Sequence, residues 1–358
     1  MYEPIPLSSS HSLPAIPDLL AQARTNRPLA ESLFNRLPTE QQSLLIAQAR
    51  AEDRMSLLLL AADCAELVRT MNPVALAQTV LAADDDADVL ARFATAQQLA
   101  AAIDLDCRHA GRIVPQRFHR WISILVASSI SESAQAIREL DVRLLAVGLR
   151  PYVRYSEGLD ERLRVDRYAD QSPSIGTADL DSDDEDVMAF LHLLEAEAPQ
   201  VLSAVAELLI EEDAEELFNE DYAGYEERMD AIGLRDYGRA AEVYGAGPAP
   251  DEDPASASRA VADTSTTFLR QVLAAMIAHR DCSETTIEEI SRQLLELSND
   301  VAMADGAGSD EAAVLSARAK TERLIAEGLL RRSHGDVDQA VAALLEGDLR
   351  GLLRAGRG

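Results

Sequence analysis

Apolar residues along most of this chain recur at intervals of three and four positions, the spacing of one face of an α-helix. Leu76 and Val80 begin one such series, and Leu99 and Ile103 begin another. Alternation of apolar and polar residues, which indicates strands, is confined to a stretch around Gly158, where a short hairpin and an irregular loop are both open. The pattern predicts an all-α protein with at most one short β-hairpin.

Helix start signals recur through the first half of the chain. Thr39 and Thr95 each precede a glutamine by three residues, which is the spacing of a capping box. Asn72 followed by Pro73 indicates a helix cap with proline at the first helical position. Short helices cannot bury their apolar faces alone and must stack on their neighbours. We therefore predict an irregular helical-repeat array followed by a helical bundle.

Composition divides the chain into five predicted segments. Residues 1–18 contain four prolines and predict a disordered leader, whereas residues 246–258 are rich in Gly, Pro, Ala and acid and predict a linker. The helical array is expected over 19–150, a connecting segment and acidic helices over 151–245, and the C-terminal bundle over 259–358. Thr285 and Asp336 are the expected caps of two bundle helices.

The middle of the chain is strongly acidic. Sixty residues between Arg167 and Arg228 contain no lysine or arginine, and nineteen of them are Asp or Glu. Apolar residues at helical spacing from Phe190 to Leu209 predict that this acid is carried by folded helices. On one continuous helix several glutamates would stand one turn apart, at about 0.2 to 0.5 kcal/mol of repulsion per pair. This predicted acidic face, which we expect to bind a partner's arginines or divalent cations, consists of Glu207, Glu211, Glu212, Glu215 and Glu216.

Overall charge and cysteine content narrow the possible partners. The net charge of −29 argues against general binding to nucleic acid or to an anionic membrane, because both require clustered cations. No apolar run approaches the roughly 18 residues that a membrane span needs. Cys64, Cys107 and Cys282 are too few and too scattered for a disulfide framework, which favours a reducing cytoplasm.

One segment has the opposite charge. No acidic residue occurs from Cys107 to Ser131. The predicted interaction patch in this segment, which we call the arginine patch, consists of Arg108, His109, Arg112, Arg117, Arg120 and the sole tryptophan, Trp121. An arginine cluster with an aromatic residue is typical of an interaction hot spot or an anion site, and a solvated face beside a core tryptophan is the alternative. The expected mate is the acidic region of the same chain or of a second copy.

Catalytic and metal-binding motifs give no positive prediction. Asp179, Asp181 and Asp183 have the alternate spacing of a calcium-binding EF-hand loop, but Asp184 occupies the turn position that requires glycine, and Phe190 the last ligand position. The sequence lacks a nucleophile elbow and a glycine-rich phosphate loop ending in Lys-Ser or Lys-Thr. We predict no catalytic residue, no metal site and no cofactor, while a catalytic site assembled from distant residues stays open.

Two resemblances to known families follow from short motifs. Leu37-Pro38-Thr39-Glu40, Met71-Asn72-Pro73 and Phe93-Ala94-Thr95 resemble the helical repeats of the cytosolic N-terminal domain of magnesium transporters and of flagellar motor switch proteins. A longer likeness, to an uncharacterised bacterial family of large helical proteins, rests on the segments 103–107, 229–237, 241–244 and 335–340. The second resemblance implies a helical fold in a bacterial cytoplasm and brings no activity, ligand or catalytic residue.

Taken together, these patterns predict a non-enzymatic cytosolic interaction or scaffold protein. Its expected partner is another protein or a second copy of itself, with a divalent cation as a further possible ligand. A divalent-cation-responsive regulatory domain is the alternative function, and an unrecognised enzyme is a third.

Overall fold

The computed structural model describes residues 14–83, 86–128, 134–155, 179–211, 213–244, 259–277, 279, 282–306 and 311–357. Over these ranges the chain forms 20 α-helices and two antiparallel pairs of two-residue strands. The predicted all-α class is confirmed. Among the helices described, none combines the length and the apolar character that a bilayer crossing requires.

Short helices make up the first part of the chain. They are α1 (Ile16–Thr25), α2 (Arg27–Phe34), α3 (Thr39–Gln48), α4 (Ala51–Leu58), α5 (Cys64–Thr70), α6 (Pro73–Ala82), α7 (Ala87–Phe93), α8 (Ala96–Cys107), α9 (Pro115–Ala127), α10 (Ala134–Arg138) and α11 (Val142–Leu149). Strands β1 (Arg108–His109) and β2 (Arg112–Ile113) form a hairpin between α8 and α9. Each helix is too short to bury its own apolar face, so the packing between helices determines the fold.

Helices α3 to α9 pack in two rows. Helix α3 contacts α5, α5 contacts α7 and α7 contacts α9, while α4 contacts α6 and α6 contacts α8. Every helix in this stretch therefore lies against the next but one in sequence. This alternation lets a chain of short helices build one continuous core, whose buried residues extend from Leu19 through Trp121 to Met229.

Two of the predicted helix caps in the first half of the chain are confirmed, and one is wrong. The box at Thr95 is confirmed: its side chain accepts a hydrogen bond from the Gln98 N–H, and the Gln98 side chain accepts one from the Thr95 N–H. The Asn72 cap is also confirmed, with a bond from Val74 N–H. Thr39 does not act as a cap, because it is already the first residue of its helix and Pro38 occupies the capping position.

Strands β3 (Arg154–Tyr155) and β4 (Leu180–Asp181) form the second pair and lead into the acidic part of the chain. That part contains α12 (Glu185–Glu197), α13 (Pro199–Glu211) and α14 (Ala214–Ala231). Helix α12 packs on α9 and α13, α13 packs on α11, and α14 packs on α8 and α11. Most of the apolar residues predicted to lie inside this region are buried, including Phe190, Leu194 and Val205, and Leu208 is half-buried. Folded acidic helices are therefore confirmed.

The remaining helices form a second core. They are α15 (Tyr237–Tyr244), α16 (Arg259–Ile277), α17 (Glu284–Ala304), α18 (Glu311–Ser333), α19 (Val337–Leu345) and α20 (Leu349–Arg357). Their buried residues extend from Phe268 to Leu353, and Met303 of α17 packs against the first core. Asp336 caps α19 as predicted, whereas α17 is capped by Ser283, two residues before the predicted Thr285.

Several predicted features fall outside the described residues. They are most of the leader, the linker at 246–258 and most of the alternating residues around Gly158. The prediction allowed at most one hairpin, at that last stretch. The described hairpin lies instead at β1–β2, and β3 pairs with β4 across the segment that contains Gly158.

Helices α18 and α20 approach each other closely through two glycines. A Cβ atom at Gly328 would overlap the carbonyl oxygen of Leu352, and one at Gly356 would overlap that of Leu324. Backbone atoms cannot move aside as a flexible side chain can. Glycine is therefore required at this crossing by the distance between the two backbones, not by their dihedral angles.

Replacing Gly328 by alanine tests this crossing. We expect Gly328→Ala to lower the free energy of unfolding by about 2 to 3 kcal/mol, because the added methyl group separates α18 from α20. Gly351→Ala is the matched control in α20, since the nearest atoms to its methyl group belong to the Asp348 side chain, which can shift at the cost of its hydrogen bond from the Gly351 N–H. Urea denaturation should place the control within about 1 kcal/mol of the wild type, and equal losses in both variants would contradict the proposed crossing.

Candidate functional site

The hairpin β1–β2 carries three residues of the arginine patch, Arg108, His109 and Arg112. Its two turn residues, Ala110 and Gly111, have φ values of 49° and 77°. Two successive left-handed residues match the twist of a two-residue hairpin. A Cβ at Gly111 would lie 2.7 Å from the ring of Tyr222 in α14, and one at Gly306 would lie 2.7 Å from the ring of His109. The hairpin thus touches both the acidic helices and the end of α17.

Arg108 is buried at the base of this hairpin, with 5% of its surface exposed. Its Nε donates to Asp104 at 2.6 Å, and its Nη2 donates to both carboxylate oxygens of Asp221 at 2.9 and 2.8 Å. Its Nη1 donates to the Gly111 carbonyl at 3.0 Å. The guanidinium also lies 4.6 Å from the centre of the Tyr225 ring. All faces of this cation are therefore occupied by the protein itself.

A second arginine extends the charged cluster. Arg228 donates from Nε to Asp104 at 2.6 Å, forms an ion pair with Asp141, and places Nη2 3.8 Å from Asp221. Two guanidiniums and three carboxylates therefore meet between α8, α14 and the start of α11. We call Arg108, Arg228, Asp104, Asp141 and Asp221 the buried charge network.

The network keeps Arg108 charged. Burial alone would lower the pKa of Arg108, but the negative charges of Asp104 and Asp221, with their hydrogen bonds, outweigh this effect and raise the pKa. A neutral guanidinium would leave buried carboxylates uncompensated. Arg108 therefore stays protonated and acts as a structural cation that holds Asp104 and Asp221 in place.

Two tyrosines join the network to the second core. The Tyr222 hydroxyl donates to Asp236 at 2.9 Å and accepts from the Gly238 N–H at 3.1 Å. The Tyr225 hydroxyl accepts from the N–H of Tyr237 at 3.1 Å. Burial, with the hydrogen bond to Asp236, raises the pKa of Tyr222 to about 12, so its hydroxyl stays protonated at neutral pH. These bonds fix the chain that enters α15.

Other members of the segment 108–123 contact the acidic region within the same chain. The Arg112 guanidinium lies 4.6 Å from the centre of the Phe218 ring. The His119 Nε2 is 2.9 Å from each oxygen of Asp184, and this hydrogen bond lowers the pKa of that carboxyl. The arginine patch thus lies against the acidic helices along one side.

The other end of the arginine patch borders a cavity of about 890 Å³. Trp121 is buried and donates from Nε1 to the Asp106 carboxylate at 2.9 Å. Arg117 donates to the Asp106 carbonyl at 2.8 Å, and both Arg117 and Arg120 line the cavity. The six predicted patch residues therefore fall into separate places. Arg108, His109 and Arg112 belong to the β1–β2 hairpin, Arg117 and Arg120 line the cavity, and Trp121 is buried in the core.

The predicted acidic face is interrupted. Helix α13 ends at Glu211 and α14 begins at Ala214, so the expected one-turn pair from Glu211 to Glu215 does not lie on one helix. Asp213 caps α14 by accepting hydrogen bonds from the N–H groups of Glu215 and Glu216 at 2.7 and 3.0 Å. The predicted repulsion across this point is therefore wrong. Glu207 lies on α13, and Glu212 is outside the described residues.

The break also changes how the glutamates interact with the helix dipole. A continuous helix would place Glu215 and Glu216 in its C-terminal half, where negative charge is unfavourable. In the structure they lie in the first turn of α14, where the positive end of the dipole favours them.

No cluster of three or more His, Cys, Asp or Glu side chains arranged to hold a metal occurs among the residues that the structure describes. In the former candidate loop Asp181 belongs to β4, Asp183 pairs with Arg154, and Asp184 caps α12. These contacts are typical of a segment that leads from a strand into a helix.

The sequence reasoning missed most of the buried charge network. Asp104 and Arg108 stand four residues apart near the end of α8, and Asp104 lies within a run of alanine, isoleucine and leucine. Asp221, Tyr225 and Arg228 fall on one face of α14. A charged residue inside an apolar face is the signal that could have revealed the network, because burial of an ion requires a partner.

Replacing Arg108 should lower the free energy of unfolding far more than replacing Arg112, which lies on the same hairpin. We expect Arg108→Met to destabilise the fold by on the order of 3 to 5 kcal/mol, because two buried carboxylates lose their main partner. Arg112→Met removes the same charge from an exposed position and should cost below about 1 kcal/mol.

Chemical denaturation of both variants measures these differences. A double-mutant cycle with Asp221→Leu should show a strong positive coupling, because the second change removes a charge that the first one leaves unpaired. Additive losses would contradict the direct pairing.

Comparison with known proteins identifies a family for this chain. No curated protein matches the chain. No solved structure matches it either. The predicted resemblance to magnesium-transporter and flagellar motor switch repeats is therefore not shown. A sequence model for a family of unknown function matches residues 31–358, which is nearly the whole chain. The chain belongs to this family, DUF6178.

Proposed function

We propose that the protein is a non-catalytic interaction protein of the bacterial cytoplasm, and that it binds a partner of basic character through the start of α14. The observation that carries this proposal is the exposure of Glu215 and Glu216 beside the cap Asp213. We call these three residues the acidic surface. The bacterial and cytoplasmic setting rests on the family resemblance and on the scarcity of cysteine.

The opposite side of α14 supports this assignment, because it is firmly held. Leu217, Tyr225 and Met229 are buried in the first core, and Asp221 is bonded to Arg108. These contacts fix the rotation of the helix about its axis. The two glutamates therefore point away from the core in a constant arrangement, as a recognition surface requires.

Charge supports the same proposal. Within the described part of the chain, Glu215 and Glu216 form no ion pair, whereas the nearby Glu220 pairs with Arg143 at 2.5 Å. Arg108 is held in the buried charge network and Arg112 against Phe218, while Arg150 acts electrostatically on Asp213. The charges of Glu215 and Glu216 stay available to a cationic partner, and the net charge of −29 would speed its approach.

The alternative function, a regulatory domain that responds to divalent cations, rests on fewer observations than the interaction proposal. It depended on glutamates stacked along one helix, and the break before α14 separates Glu211 from Glu215, although Glu207 and Glu211 remain together on α13. Asp213, which could have joined a cation site, already accepts two backbone hydrogen bonds, and these bonds lower its pKa. Interaction with a protein surface fits the arrangement better than capture of a single ion.

Charge reversal tests the interaction proposal. We expect Glu215→Lys with Glu216→Lys to weaken partner binding at least tenfold, because both carboxylates would become repulsive to a basic surface. Glu40→Lys with Glu66→Lys is the matched control. These two glutamates are also exposed and in the first turns of their helices, so the loss of helix-dipole energy is similar.

The measurement is cross-linking in the native cells followed by titration of the purified partner. A specific partner that is retained by the control pair and lost by the α14 pair, with affinity that falls as salt rises, would support the proposal. An unchanged set of cross-linked proteins in the α14 variant would rule out this surface.

Divalent cations should not stabilise the protein specifically. We expect the Tm in millimolar Mg²⁺ or Ca²⁺ to equal the Tm in NaCl of the same ionic strength, because the first-turn glutamates are already favoured by the helix dipole. A higher Tm in the divalent salts, abolished by Glu215→Gln with Glu216→Gln, would instead favour the cation-responsive alternative.

A further inference from the structure

The cavity beside Trp121 has walls from both halves of the molecule. Its N-terminal wall comes from α4, α6, α8 and α9, and its opposite wall comes from α18 and the end of α17. The volume of about 890 Å³ lies within the range of small-molecule sites, which is roughly 300 to 1,000 Å³. Ala51, Ala82, Ala313 and Ala317 contribute small side chains, which keep the space open.

Two guanidinium groups line the same wall. Arg117 and Arg120 stand one turn apart on α9 and line the cavity. Both act electrostatically on the nearby Asp106 carboxylate, without a direct ion pair to it among the described residues. Arg120 makes only long contacts, of 3.4 and 3.3 Å, to the carbonyl oxygens of Val80 and Leu81. Arg117 is oriented by its bond to the Asp106 carbonyl. Both cations therefore retain N–H donors for a ligand.

The helix that carries these arginines adds to the positive potential. Helix α9 begins at Pro115, and its capping residue, Val114, has no side chain that could accept a hydrogen bond. Gln116 and Arg117, in the first turn, both line the cavity. The positive end of the α9 dipole is thus not neutralised by a capping carboxylate or hydroxyl, and it lies at the same wall as the two arginines.

The acidic residues near the cavity are largely engaged elsewhere. Glu52 pairs with Arg50, and Asp305 pairs with Lys320 at 2.8 Å. The Asp106 carboxylate accepts the Trp121 N–H; burial raises its pKa, and the charges of Arg117 and Arg120 act against that rise. Asp106 therefore offsets part of the positive charge of the two arginines, but it forms no direct ion pair with them, so their N–H groups stay available to a ligand.

We propose that this cavity binds a small organic anion, with its phosphate or carboxylate group held by Arg117 and Arg120. Gln78, Gln116 and Ser316 supply neutral polar groups around the rest of the space, which suits a ligand that also carries hydroxyl groups. Such a ligand would contact both α9 and α18. Its binding would stabilise the association of the two halves, by a free energy that rises with the logarithm of the ligand concentration above Kd.

Isothermal titration of the full chain tests this site with two probes, glycerol 3-phosphate and malate, at constant ionic strength. Both probes combine an anionic group with a hydroxyl group, and they differ in the anion. We expect at least one probe to bind at millimolar concentration or below. Binding of the phosphate alone assigns a phosphate ester, binding of malate alone assigns a carboxylate, and binding of neither overturns the proposal.

Three variants locate any binding that is seen. Arg117→Gln with Arg120→Gln should weaken the binding at least tenfold, and Arg112→Gln, which removes a charge of the same patch outside the cavity, should leave it unchanged. Ser316→Phe should also abolish binding by filling the space from α18 without altering an arginine. Equal weakening by Arg112→Gln would show nonspecific charge attraction, and unchanged binding in Ser316→Phe would place the ligand elsewhere; either result overturns the proposal. Because the acidic surface lies on α14, these results are independent of the partner-binding test.

Discussion

The burial of Arg108 among Asp104, Asp221 and the ring of Tyr225 is the constraint on which the arrangement of helices depends. A guanidinium removed from water is stable only where carboxylates and carbonyl groups meet it on every side. Here those groups come from α8, the β1–β2 hairpin and α14. The helices cannot shift against one another without unpairing charges inside the protein. Apolar packing supplies most of the stability, and the charge network specifies one arrangement.

Local structure was the part that sequence could predict. Helix starts at Asn72, Thr95 and Asp336 follow from interactions within a few residues, and the buried side of the acidic helices follows from their apolar spacing. The contacts of the arginine patch could not be predicted residue by residue. Arg108 meets Asp221 from 113 positions away, and only the packing of α8 on α14 brings them together. The cavity at Arg117 was equally inaccessible to sequence reasoning, since its far wall belongs to the second core.

The acidic middle of the chain shows why a charge count alone misleads. A run of glutamates on one long helix would repel itself, but the cap at Asp213 starts a new helix within the run. The same residues then change from an unfavourable to a favourable position relative to a helix dipole. Because Asp213 caps a new helix at this point, less repulsion between glutamates is left for bound cations to offset. The charge that remains exposed becomes available for recognition.

The two-residue turn of the β1–β2 hairpin also restricts how the chain could vary in length. Surface hairpins ordinarily accept inserted residues at their tips. This tip is held on one side, because Gly111 lies against Tyr222 and His109 against Gly306, while Arg108 donates to the Gly111 carbonyl. An extra residue would displace either the arginine or the turn. Any chain that keeps these contacts must therefore keep the number of residues between Cys107 and Val114.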